Sequence, residues 1–194
     1  MSIEKPTALF FGSFNPIHIG HLCVAEYLVE FGGMDEVWFV VSPLNPLKDK
    51  ATLLSDYARY EMAQEAIGKD TRFRVSDIEF HMAKPSYTID TLAHLSEKYP
   101  GRQFILTGGT DLLVSFHKWK NYEQILEHYK LLLYPRHGSD DHPLTKHPSI
   151  TLIDAPRIEI SASFIRGAIK NKKSVRYFLP DAVYKLIDKY GYYL

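Results

Sequence analysis

The sequence predicts an α/β fold, an open parallel sheet with helices on both faces and a small helical C-terminal part. Two observations predict it. Short, nearly continuous apolar runs alternate with longer segments whose apolar residues recur at helical spacing, and strands separated by helices pair in parallel through right-handed crossovers. The length of 194 residues, 45% apolar and 24% charged, fits one globular domain. Residues 1–194 are therefore read as a single domain, with 161–194 its mostly helical C-terminal part.

Thr7-Ala8-Leu9-Phe10-Phe11, ending at Gly12, has the continuous apolarity of a strand buried on both faces. From His21 to about Phe31, Leu22, Ala25, Leu28, Val29 and Phe31 recur at helical spacing and stop at Gly32-Gly33. Val37 to Val41 is a second strand, and Ser55 to Ile67 a helix that Ser55 can cap. Phe73 to Ile78 is read as a third strand, Ile89 to Tyr99 as a helix, and Gln103 to Thr107 as a strand running into Gly108-Gly109. A helix over about Tyr122 to His128 precedes the strand Leu131 to Tyr134. Pro135 to Pro148, polar and carrying three His, reads as an exposed loop, with a last strand at Ile150 to Ile153. The tail from Ser161 is helical with a break around Val175 to Pro180.

Composition excludes several classes. Lys+Arg and Asp+Glu both number 23, so the chain lacks the global basic excess of a nucleic-acid binder, and no nucleic-acid partner is expected. The single cysteine rules out an internal disulfide framework and a Cys-rich zinc site. Cys23 lies in the apolar run Leu22 to Ala25 and reads as a buried, inert thiol. No signal peptide and no apolar stretch of membrane-spanning length is seen, so a cytoplasmic protein without a membrane partner is expected. The sequence leaves homo-oligomerisation open.

In such sheets ligands bind beyond the carboxyl ends of the strands, near a switch in strand order. That rule draws attention to Gly12-Ser13-Phe14-Asn15-Pro16-Ile17-His18-Ile19-Gly20-His21, between the first strand and the first helix. A helix start offers unpaired N–H groups and a positive dipole end, a natural phosphate site. Gly12 and Gly20 allow close backbone approach, Ser13 adds a hydroxyl, and two imidazoles three residues apart can donate to the same anion. Surface or capping histidines are the plain alternative. In a shuffled chain of this composition His-x-Gly-His arises only ~0.02 times. No third or fourth metal ligand is apparent nearby, and the spacing of His137, His142 and His147 matches no zinc pattern, so no metal-binding residue is assigned.

The stretch Gly12 to His21 resembles the signature of the His-x-Gly-His nucleotidyltransferases, and Ile160-Ser161-Ala162-Ser163-Phe164-Ile165-Arg166 is similar to their second nucleotide signature. The physics agrees, because Ser161 or Ser163 can cap a helix whose N-terminus, with Arg166, makes an anion site. Ser86 to Leu92, Thr107 to Asp111 with Trp119 downstream, and Tyr177 to Val183 resemble bacterial nicotinate-nucleotide adenylyltransferases. The resemblance spans nearly the whole chain and implies a Rossmann-like fold. It also implies transfer of AMP from ATP to nicotinate mononucleotide, accompanied by Mg2+. His18 and His21 would be catalytic. Gly12, Ser13, Phe14, His18, Gly20, His21, Gly108, Asp111, Ile160, Ser161, Ser163 and Arg166 would hold ATP, and Asn15, Lys48, Tyr87, Thr88 and Trp119 the acceptor.

Each middle motif also has an ordinary reading. Ser86-Tyr87-Thr88 is equally a turn and helix cap, Asp111 a helix cap, and Trp119 a core anchor, although an indole also suits stacking on a pyridinium ring. Lys48 can reach a phosphate or be plainly solvated. Trp38, inside a strand pattern, is assigned to packing. The family commonly shows a Pro-Pro-His-Lys-like loop after the second strand, whereas Leu47 stands here at the His position. Nicotinamide mononucleotide or phosphopantetheine as acceptor, and a non-catalytic nucleotide sensor, are the alternative functions.

Overall fold

The computed structural model describes residues 5–43, 53–136 and 141–194. Six strands, β1 (Lys5–Gly12), β2 (Glu36–Val41), β3 (Phe73–Ser76), β4 (Arg102–Gly109), β5 (Lys130–Tyr134) and β6 (Ile150–Leu152), alternate with helices. These are α1 (Ile19–Glu30), α2 (Asp56–Ile67), α3 (Thr88–Lys98), α4 (Leu113–Phe116), α5 (Tyr122–His128), α6 (Ala162–Lys170) and α7 (Asp181–Tyr190). The strands form one sheet in the order β3-β2-β1-β4-β5-β6, every pair parallel. The fold is Rossmann-like.

Strand periodicity divides the apolar runs between two cores. Ala8 and Phe10 of β1 join Val37, Phe39 and Val41 of β2 on one face, where Val24, Ala25 and Leu28 of α1, Met62 of α2, Ile165 of α6 and Val183 of α7 cover them. Leu9, Trp38, Val40, Leu106 and Leu133 point the other way, against Leu92 and Leu95 of α3, Phe116 of α4 and Ile125 of α5. Trp38 is 1% exposed, donates to Glu36 Oε2 at 2.8 Å, and lies beneath Arg74. Its assignment to packing holds.

Some details differ from the sequence reading. The third strand ends at Ser76, and Ile78 begins a 3-10 turn through His81. A second 3-10 turn, Thr110–Leu112, runs into α4, neither of which the periodicity reveals in so short a segment. Within the loop read over Pro135 to Pro148, Pro143–Lys146 forms a 3-10 turn capped by the His142 side chain, and His147 pairs with Ser149 at 2.8 Å. Cys23 is exposed, because the buried face of α1 is set by Gly20, Val24, Ala25 and Leu28. Among the described residues no helix is long and apolar enough to cross a membrane.

The strand order turns between β1 and β4, whose registers continue side by side through Phe10 and Thr107. The carboxyl ends of these two strands splay into loops that run opposite ways, which opens a crevice there.

Candidate active site

A cleft of about 690 Å³ opens at that crevice. Its floor is the loop after β1. Phe14 takes a left-handed φ of +43° and turns its ring back over Gly12, where a Cβ would lie 2.8 Å from the ring. Gly12 is thus required by close approach. Below the loop, Arg59 of α2 is fully buried and acts as a staple. It donates to the carbonyl oxygens of Ser13 at 2.6 Å, Ser42 at 2.9 Å, Leu54 at 3.1 Å and Pro43 at 3.2 Å, and pairs with Asp56 at 2.7 Å.

The two histidines occupy the start of α1. His18 is the N-cap residue in extended conformation, and its N–H donates to Nδ1 of His21 at 3.2 Å. With Nδ1 accepting, the neutral His21 ring carries its proton on Nε2. The rings stack with centroids 3.7 Å apart. His18 is 5% exposed, and its Nδ1 has no hydrogen-bond partner among the described residues. A buried ring nitrogen left so costs ~1–3 kcal/mol unless a ligand or water completes it.

Burial, with the Arg136 guanidinium behind it, pushes the His18 imidazole down from 6.5 to about 4. His18 is therefore a neutral donor near pH 7. Linkage gives a stability prediction. Below pH 6.5 the unfolded chain binds a proton that native His18 refuses, so stability at pH 7 is lost as pH falls from 6.5 through 4, by about 3 kcal/mol. Urea unfolding of the protein and of His18→Asn at pH 7 and pH 4.5 checks this. The variant is expected to lose distinctly less stability over the interval, and equal losses would contradict the assignment.

The second wall is the end of β4. A Cβ on Gly108 would lie 2.5 Å from Leu112, and one on Gly109 2.6 Å from Arg136, so the two glycines let the 3-10 turn and Arg136 lie against the strand. Asp111 is exposed on this wall and caps no helix. Arg136 follows β5, its backbone N–H donates to Thr110 Oγ1 at 2.9 Å, and its guanidinium donates to the Ile158 carbonyl at 3.0 Å. Tyr134 lines the same wall, where burial raises its hydroxyl to about 12.

The third wall is the start of α6. Ser161 caps it, accepting the Phe164 N–H at 3.1 Å. Arg166 donates to the Asn15 carbonyl at 2.8 Å and to Ser163 Oγ at 3.2 Å, which fastens the two signatures together. Asn15 is 4% exposed, and its amide oxygen accepts from Tyr193 at 2.8 Å and from the Leu54 N–H at 3.4 Å.

All twelve residues read as ATP-holding line this one cleft, together with Asn15 and Trp119. Trp119 is half-buried with its ring 5.2 Å from Phe116. Tyr87 and Thr88 do not line the cleft. Tyr87 is the N-cap residue of α3 without a side-chain cap bond, and Thr88 is its first residue. Lys120, next to Trp119, connects the two regions by pairing with Asp90 at 2.8 Å and lying 4.8 Å over the Tyr87 ring. Lys48 and Leu47 lie outside the described residues. Arg136, Arg59 and Lys120 escaped the sequence reading. Arg136 alone had a usable signal, since it directly follows a strand, the place where ligands bind in these sheets.

The cytidylyltransferase-like family model matches residues 9–168. A relative from Cytophaga hutchinsonii is 49% identical over 185 residues, 95% of this chain and 96% of its own. Another from Bacteroides fragilis is 50% identical over 95% of this chain and 92% of its own. Both bear the name "Probable nicotinate-nucleotide adenylyltransferase". Among solved structures, Plasmodium falciparum nicotinic acid mononucleotide adenylyltransferase complexed with NaAD superposes with a TM-score of 0.84 at 22% identity, covering 98% of both chains, which shows a shared fold. Near 50% identity across almost the entire length goes further than fold, and the chain belongs to the nicotinate-nucleotide adenylyltransferases, a family of nucleotidyltransferase enzymes within the cytidylyltransferase-like group.

Proposed function

We propose that this chain transfers AMP from ATP to nicotinate mononucleotide, giving nicotinate adenine dinucleotide and pyrophosphate in NAD biosynthesis. The observation that carries the reading is the Arg166–Asn15 bond, which brings two helix starts and the stacked histidines to one cleft. An acceptor phosphate oxygen attacks the α-phosphorus in line. The bond from that phosphorus to the bridging oxygen of the β-phosphate breaks, and pyrophosphate leaves with the electron pair. The nucleophile is already an anion, so catalysis consists of positioning and electrostatic stabilisation.

In this reading His18 and His21 donate to the phosphates, Ser13 assists, and Arg166 holds the departing end. Asp111 accepts from the ATP ribose, while Gly12, Phe14, Gly20, Gly108, Ile160, Ser161 and Ser163 form the walls of the nucleotide site. Asn15, Trp119, Tyr87, Thr88 and Lys48 serve the acceptor half. Trp119 offers a flat face, and the uncapped start of α3 offers N–H groups to a carboxylate. Mg2+ would come with ATP and would supply charge neutralisation on the triphosphate. Among the described residues no group of three His, Cys, Asp or Glu is placed to hold a metal, so the reading assigns the ion no protein ligand. It places the reaction in the cytoplasm.

Pyrophosphate release from ATP and magnesium, with nicotinate mononucleotide, nicotinamide mononucleotide and phosphopantetheine in parallel, tests the reading. A strong preference for the acid is expected. Preference for another acceptor keeps the chemistry and overturns the acceptor assignment, and nucleotide binding without release from any of them favours a sensor.

A further inference from the structure

Glu79 is a buried carboxylate that the chemistry above does not use. It sits in the 3-10 turn after β3 and is 2% exposed. Its Oε2 accepts from the Ser86 hydroxyl at 3.0 Å and its Oε1 from the Thr91 hydroxyl at 2.8 Å. The Ser42 side chain is a third hydrogen-bonding neighbour. Among the described residues no cation pairs with it, and burial pushes its pKa upward. Holding a carboxylate there is costly, and a neutral or apolar side chain of similar size would pack at less expense.

The three hydroxyls have a common geometry. Ser86 immediately precedes Tyr87, and Thr91 lies one helical turn after it, with its hydroxyl 3.3 Å from the Tyr87 carbonyl oxygen. Ser42 follows β2, and its N–H donates to the Gly12 carbonyl at 2.9 Å. One carboxylate therefore touches both flanks of the Tyr87-Thr88 turn and the strand end that supports the phosphate loop. We propose that Glu79 is a positioning residue for the acceptor: it brackets Tyr87 and Thr88 between Ser86 and Thr91 and sets their distance from the Gly12 loop through Ser42. The inference rests on the reading that the α3 start holds the acceptor.

A positioning role of this kind separates the two substrates. In Glu79→Gln and Ser86→Ala the KM for the acceptor is expected to rise about 10- to 100-fold, the effect of one lost charged hydrogen bond. The KM for ATP should stay within about twofold. Thr91→Ser, which keeps the hydroxyl, should retain both values. The measurement uses whichever acceptor the unaltered protein prefers. Failure of the nicotinate reading thus appears in the unaltered protein, and failure of the Glu79 proposal only in the variants. If Glu79→Gln does not fold, Ser86→Ala decides alone. An unchanged acceptor KM, or ATP and acceptor KM values rising together, would reduce Glu79 to a packing element and overturn the proposal.

Discussion

His18→Ala is expected to lower turnover by about a thousandfold or more and leave the protein folded. Removing a single preorganised donor from a developing anion costs about 10²–10³ in rate, and His18 has two connections to the site. It can donate to a phosphate, and its ring stacks 3.7 Å from His21, the second donor. Losing it removes one donor and frees the other to turn. Stability should change little, because the cavity left by the ring is offset by removing a buried ring nitrogen that has no partner among the described residues. Single-turnover pyrophosphate release, with near-ultraviolet circular dichroism to establish folding, makes the comparison. A folded variant with ordinary turnover would remove His18 from the mechanism.

Arg59→Met is expected to cost about 3–5 kcal/mol of stability, and with it the geometry of the Gly12 loop. Burial works against the Arg59 charge, and Asp56 supports it. The guanidinium serves carbonyl oxygens from three separate segments, at Ser13, at Ser42 and Pro43, and at Leu54. Methionine restores the volume and satisfies none of them. Lysine keeps the charge but lacks the planar fork that reaches several acceptors, so Arg59→Lys should recover part of the stability and little of the activity. Urea titration of the three proteins, with turnover measured where each is folded, would show this ordering. Equal stability of Arg59→Met and the unaltered protein would mean the staple is dispensable.

The contrast between these residues shows where sequence reading succeeds. His18 was legible because His-x-Gly-His is local, improbable by chance, and placed directly after an apolar strand. Ser161 was legible for similar reasons, as the cap of a helix that carries Arg166, the candidate anion ligand, five residues on. Most strands and helices announced themselves by period. Arg59 carries no such mark, since an arginine in an amphipathic helix looks solvated until the carbonyl oxygens of distant loops are brought around it. Glu79 and Lys120 are hidden in the same way. Cys23 misled in the opposite direction. Its apolar neighbours suggested burial, but helical phase turned it outward, and a short run cannot fix that phase. The positions of Tyr87 and Thr88 outside the cleft lining also followed from tertiary arrangement alone.

The Arg166–Asn15 bond spans 151 residues of sequence, and this has a consequence for the chain while it is being made. The Gly12 loop leaves the ribosome well before the guanidinium that braces it. Until α6 emerges, one wall of the cleft does not exist. Ligand binding stabilises only states that bind, so a ligand of the complete cleft gives the growing polypeptide little shelter. The early strands and helices must survive on their own apolar contacts, which accords with how densely the β1 and β2 segments are built from Leu, Phe, Val and Trp.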